Sequence, residues 1–172
     1  MEAPGLRLER IVLYTTRPIR EGEAEGREYH FVDRQRYEAL LAEGKVIEAR
    51  SYDTMYGVWT YFTAEEGIDL AKTSYLTIGT LESYEKLKSY FGEKQVVPVY
   101  VELEDGERLS RALARERLQE TPRYAELCRR FLADCADCSE EKLAAAGINR
   151  RFVNDDLERC CGEILRYIEE NK

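Results

Sequence analysis

The sequence predicts an α/β fold, and three observations carry that expectation. From residue 65 onward, short apolar runs alternate with segments of helical periodicity. Upstream, two β-biased runs flank a glycine and read as a hairpin. Two arginine-rich amphipathic segments follow the alternating units and read as a helical pair. Alternation of this kind argues βα units with a parallel sheet flanked by helices, beside a small antiparallel subdomain over about 28–63.

Taken in order, Arg10-Ile11-Val12-Leu13-Tyr14 is an apolar run suited to a buried strand, and 15–27, dense in charge, glycine and proline, reads as a surface loop. After Tyr29-His30-Phe31-Val32, Asp33 is placed as an N-cap. Tyr37, Leu40 and Leu41 then recur at helical spacing, and Gly44 can close the helix. Residues 46–52 and 59–63 read as the two hairpin strands, with Gly57 between them. A helix over 65–72, a strand over 75–78, a helix over 81–90 and a strand over 96–101 follow. The helical pair covers 105–120 and 122–134, with Pro122 in a first-turn position. A last strand over 151–154 leads into a closing helix from 155.

At 172 residues with 44% hydrophobic content the chain suits one domain with one sizeable core. It contains no run of 18 apolar residues and no apolar stretch resembling a secretion signal near Met1, so a soluble, cytoplasmic protein with no membrane partner is expected. The formal charge of −8 opposes nucleic-acid binding, whereas a few arginines converging on a cleft can still hold a small phosphate. Cys128, Cys135, Cys138, Cys160 and Cys161 are odd in number and do not form a disulfide framework. Cys135-x-x-Cys138 leaves redox or zinc chemistry open beside the plainer reading of partly buried thiols, and no metal ligand is assigned.

Chemistry concentrates in Thr15-Thr16-Arg17-Pro18-Ile19-Arg20-Glu21-Gly22-Glu23, followed by Gly26-Arg27-Glu28-Tyr29-His30-Phe31-Val32. Two guanidinium groups offer paired N–H donors matched to phosphate oxygens, and a tyrosine hydroxyl adds a neutral donor. This stretch resembles the guanylate kinase family, and the resemblance runs from about Leu6 to the C-terminus. It implies that Arg17, Arg20 and Tyr29 hold the phosphate of GMP. Gly44-Lys45-Val46-Ile47-Glu48 resembles the family's base-reading strand, with Glu48 as the matching carboxylate. An ionised carboxylate can accept from guanine N1–H and the exocyclic amine, while adenine presents an acceptor at N1. Met55-Tyr56-Gly57 lines up with the family's tyrosine-glycine if one residue is deleted, which adds Tyr56 to the GMP contacts. Arg111, Arg115, Arg117 and Arg130 fall in helices matching the family's lid, whose arginines close over the transferring phosphoryl group. Arg130 is the stronger match, and Arg115 and Arg117 compete for one role. Phe152-Val153-Asn154-Asp155-Asp156-Leu157 matches the late strand-to-helix turn, where Asn154 would lie beside the base of ATP.

The resemblance thus implies a P-loop-kinase-like parallel sheet, an antiparallel GMP-binding subdomain over about 15–63 and lid helices over about 105–136. Some positions depart from the family pattern. Leu13 and Val58 replace small hydroxyl residues, and Thr77 and Gly79 stand where acidic residues are usual, with Glu82 nearby. No Gly-x-x-x-x-Gly-Lys-Ser/Thr occurs in the 172 residues, so the first strand and phosphate loop are expected to be absent. ATP and Mg2+ are expected for the complete enzyme and neither is expected to bind this chain tightly. GMP binding with weak or no phosphoryl transfer is the leading expectation, and a non-catalytic module for a phosphorylated or acidic protein segment is the alternative. Unpaired strand edges are expected to favour self-association or strand exchange. His30, the one histidine, reads as structural or surface.

Overall fold

The computed structural model describes residues 7–54 and 57–171, and its chain divides into two compact units, the sequence boundary falling between residues 95 and 96. The first unit is built on a four-stranded sheet. β2 (Tyr14–Thr15) pairs in parallel with β3 (His30–Phe31) and antiparallel with β5 (Gly57–Ala64), and β5 pairs with β4 (Val46–Thr54), in the order β3-β2-β5-β4. The hairpin is therefore as expected. A register shift between Val46 and Glu48 sets which side chains of β4 face which way.

α1 (Arg34–Ala42) begins where the sequence places it: Asp33 accepts the Arg36 N–H at 2.7 Å. It ends in a left-handed Gly44 with φ of 70°, and the N–H groups of Gly44 and Lys45 donate to Leu41 and Leu40. That pair of bonds closes the last turn and satisfies two orphan carbonyls. Leu40 of α1 packs with Phe62 and Ala64 of β5, surrounded by Tyr14, Val32, Tyr37, Val46 and Ala49. The apolar core of this unit thus lies on one side of the sheet.

The strand expected over 10–14 is split. β1 (Leu8–Arg10) pairs in parallel with β6 (Ser74–Leu76), whereas Tyr14 and Thr15 join the four-stranded sheet, so the run passes from one sheet to another. The helix expected over 65–72 is replaced by turns. Gly67 adopts φ of 81°, the Ile68 N–H donates to Glu65, and the Asp69 carboxylate accepts from the Ala71 N–H. A local side-chain acceptor and a left-handed glycine defeat helical periodicity over so short a stretch. α2 (Leu81–Phe91) follows, capped by Thr80.

The second unit holds β7 (Tyr100–Glu102) parallel to β8 (Arg151–Val153), with α3 (Asp105–Arg117), α4 (Tyr124–Asp137), α5 (Glu140–Ala145) and α6 (Leu157–Glu170). β7 starts at Tyr100 rather than 96, and α4 starts two residues after Pro122. α5 was not anticipated. Ser139 caps it, and Gly147 and Ile148 close it with bonds to Ala144 and Leu143. Leu143, Ile148, Phe152 and Cys160 are buried. Among the described residues no helix is long and apolar enough to cross a membrane.

Candidate functional site

Strand pairing decides which side chains share a face, because directly opposed residues point the same way and neighbours alternate. Tyr14 faces Phe62 and Ala49 on the core side of the sheet. Thr15 then faces Tyr61, which faces Arg50, while Glu48 faces Thr63, all on the other side. That second side collects buried polar groups: Thr15, Arg17, Glu48 and Thr63 are each 5% exposed or less. Polar and charged side chains are seldom buried unless partnered, so such a gathering marks a candidate site.

The Thr-Thr-Arg turn is fastened to β5 by its hydroxyls. The Thr16 N–H donates to the Thr60 carbonyl at 2.9 Å, the Thr60 N–H donates back to Thr16 Oγ1 at 2.9 Å, and Thr15 Oγ1 donates to the same carbonyl at 3.1 Å. The Arg17 N–H then donates to Thr15 Oγ1 at 3.3 Å, which turns the chain so that the Arg17 side chain is brought beneath aromatic rings. Its guanidinium carbon lies 5.1 Å from the Tyr29 ring centre and 5.2 Å from that of Phe31. Tyr29 also packs edge-on against Tyr61 at 5.5 Å. Cation–π contacts of this kind hold a guanidinium without consuming its N–H donors.

Glu23 completes this cluster. Its carboxylate accepts from Arg17 Nη1 at 2.7 Å and Nη2 at 2.5 Å, and from the Arg20 backbone N–H at 2.8 Å. The hydrogen bond from Arg17 comes first among the causes that hold the Glu23 carboxyl down to about 2. The same bond raises Arg17, against its burial. Arg20 lies exposed in this loop, and its charge acts on Glu23. Arg17 and Tyr29 are therefore in contact, and the Arg20 backbone is tied to the same cluster through Glu23.

Glu48 sits on β4 of the same sheet face. Its Oε1 accepts from Thr63 Oγ1 at 2.8 Å and its Oε2 from Arg50 Nε at 3.2 Å, and Arg50 Nη1 reaches Thr80 Oγ1 at 3.3 Å. Among the described residues Thr63 and Arg50 use two of the carboxylate's four acceptor positions. Tyr56 lies outside the described residues. Glu23, Arg50, Tyr61 and Thr63 were missed by motif reading. Tyr61 and Thr63 could have been found by carrying the hairpin register across from Glu48, since they alternate with the core residues Phe62 and Ala64.

In the second unit Arg115 and Arg117 are exposed on the last turn of α3. Being two positions apart they point about 200° from one another. Arg130 on α4 reaches Glu116 of α3 at 3.9 Å and Glu126 at 3.8 Å. Asn154 lies just after β8: its carbonyl accepts from Arg111 Nη1 at 3.1 Å, and its buried Oδ1 has no partner among the described residues. His30 pairs with Glu25 at 2.8 Å and packs at a tilt against Tyr14, in keeping with a structural or surface role. All five cysteines are free, and burial pushes the Cys138 and Cys160 thiols up. Among the described residues no three His, Cys, Asp or Glu side chains gather to hold a metal.

The family model described as guanylate kinase matches residues 4–171. A guanylate kinase of Rhodopseudomonas palustris strain HaA2 is 49% identical over 57 residues, which are 33% of this chain and 25% of that protein. The guanylate kinase of Bdellovibrio bacteriovorus is 28% identical over 165 residues, covering 95% of this chain and 83% of the relative. Protein PALS1 of Danio rerio is 31% identical over 160 residues, 92% of this chain and 22% of that protein. The extent of the relatives matched thus ranges from about a quarter to most of their length. The crystal structure of guanylate kinase from Anaplasma phagocytophilum superposes with a TM-score of 0.60 at 19% identity, covering 95% of this chain and 75% of that one, which shows a shared fold. Matched by its family model over nearly its whole length, the chain belongs to the guanylate kinase family.

Proposed function

We propose that this chain binds GMP across the polar face of the β3-β2-β5-β4 sheet and serves as the acceptor half of an ATP-dependent guanylate kinase reaction that yields ADP and GDP. The observation that carries the reading is the placement of Arg17, Tyr29 and Glu48 on one face, with Arg20 in the same loop as Arg17. Two strand spacings, about 10 Å, separate β2 from β4, a span suited to a nucleoside monophosphate with its phosphate at one end and base at the other. At the phosphate end Arg17, Arg20 and the Tyr29 hydroxyl donate. At the base end the two remaining acceptor positions of Glu48 receive guanine N1–H and the exocyclic amine.

Phosphoryl transfer asks the protein mainly for positioning and charge stabilisation. In this reading Arg130, with either Arg115 or Arg117, supplies that charge from the helical pair, and Asn154 Oδ1, which has no partner among the described residues, receives a donor from the base of ATP. The 172 residues hold no phosphate-gripping loop, so by themselves they bind GMP and transfer phosphate weakly. Mg2+ arriving with ATP would neutralise phosphate charge. A module that binds a phosphorylated or acidic protein segment is the second reading, favoured by the same arginines, while the buried Glu48 carboxylate opposes an acidic ligand. Calorimetry with GMP, AMP and a phosphopeptide tests the pair of readings: GMP should bind tightest, and preference for the peptide reverses the order. A coupled assay showing robust ATP turnover by these residues alone would refute the weak-transfer part.

A further inference from the structure

Arg50 is a charged side chain that no motif explains, and its surroundings are those of a binding group. It lies two residues from Glu48 on β4, facing the same side, because Ala49 between them packs into the core. Its side chain is 14% exposed. A guanidinium so far removed from water needs anions and acceptors around it, or it destabilises the fold. Of its five N–H donors, Nε goes to Glu48 and one Nη1 hydrogen to Thr80 Oγ1. Three donors, including both on Nη2, have no partner among the described residues. Thr80 caps α2 and anchors the far side of the group, so the guanidinium plane is fixed from two directions.

We infer that Arg50 reads the acceptor edge of guanine, O6 and N7, while Glu48 reads its adjacent donor edge; this rests on the GMP reading above. The chemistry is complementary. Guanine presents donors at N1 and N2 and acceptors at O6 and N7 side by side, and the paired Glu48 and Arg50 present acceptors and donors side by side. A planar guanidinium fork matches guanine O6 and N7 in a bidentate contact that a lysine cannot make. Adenine would place its exocyclic amine against the Arg50 donors, so Arg50 adds rejection as well as attraction.

The test is calorimetric titration of the protein with GMP and with 7-deaza-GMP, which replaces the N7 acceptor by C–H, repeated on Arg50→Lys and Arg50→Met. The protein should bind 7-deaza-GMP about tenfold more weakly than GMP, the loss of one bond from a charged donor. In Arg50→Lys, which retains a cation beside Glu48, the two ligands should bind within about twofold of one another. If the unsubstituted protein binds both ligands equally, or Arg50→Lys keeps the full tenfold preference, the inference is overturned with GMP binding intact. Equal weakening of both ligands in Arg50→Met with the preference preserved would likewise overturn it, by assigning Arg50 to the support of Glu48. Failure of the unsubstituted protein to bind GMP would overturn the underlying reading, and the inference with it. The first comparison needs no variant and so stands even where a substitution disturbs folding.

Discussion

Arg17 and Glu23, six residues apart on one loop, meet in a two-point ion pair at 2.7 and 2.5 Å, and the same carboxylate accepts the Arg20 N–H. One glutamate therefore fixes the buried arginine and the backbone of the exposed one. Its pKa is lowered from the ordinary 4.5 to about 2, so the pair stabilises the fold fully above about pH 4.5. That contribution is lost as pH falls toward 2. Thermal unfolding followed from pH 6 to pH 2 should show a fall in Tm across this window that is smaller in Glu23→Gln. Parallel curves for the two proteins would count against the pair as a contributor.

Arg17 and Arg20 should separate binding from stability. Arg20 is exposed, and its replacement by alanine should leave Tm nearly unchanged while weakening GMP by roughly ten- to hundredfold, the loss of a charge-assisted bond. Arg17 is 4% exposed and is held by Glu23, Pro18 and two rings. Arg17→Ala should therefore lower both affinity and Tm. Calorimetry paired with thermal denaturation checks the contrast, and a large Tm loss in Arg20→Ala would contradict it.

Gly44 and Gly162 should respond in opposite directions to alanine. Gly44 closes α1 at φ of 70° with open space around its missing Cβ, so strain alone acts, and Gly44→Ala should destabilise by about 1 kcal/mol. Gly162 lies within α6 with nothing within 4 Å of an added Cβ, so Gly162→Ala should stabilise by about 0.5–1 kcal/mol. Urea unfolding measures both.

These contrasts show what the sequence could carry. Asp33 and Gly44 bracket α1 through local bonds that depend on residue type, so both helix ends were legible. The 65–72 turns and the divided 10–14 run were not, because an Asp69 side-chain acceptor in one and a choice between two sheets in the other decide the outcome. Of the candidate site residues, Arg17, Arg20, Tyr29 and Glu48 announce themselves by motif. Arg50 and Thr63 acquire meaning only through the hairpin register, which a one-residue shift near Ile47 resets.

The two-stranded β1-β6 pair leaves strand edges without partners among the described residues, and Leu76 and the nearby Ile78 are 49% and 88% exposed. Unpaired edges flanked by apolar side chains favour pairing with another chain. Sedimentation should show mass rising with concentration, reduced in Ile78→Lys. Strictly monomeric behaviour at high concentration would dismiss self-association.

Purine choice should depend on how Glu48 is held. Its Oε1 accepts from the Thr63 hydroxyl at 2.8 Å, so Thr63→Val should cost about 1 kcal/mol of stability and let the carboxylate shift, weakening GMP severalfold. Glu48→Gln should act more strongly. The amide keeps an acceptor for one guanine donor and turns an N–H2 toward the other, and it removes the anion beside Arg50, which is itself 14% exposed. Loss of that pair should lower stability by about 2 kcal/mol, less than for a fully buried pair because Arg50 retains some solvent. GMP should weaken at least tenfold while AMP, never served by the carboxylate, changes little. Since only the base differs between the ligands, equal losses for GMP and AMP would mean that Glu48 supports the sheet face without touching the purine.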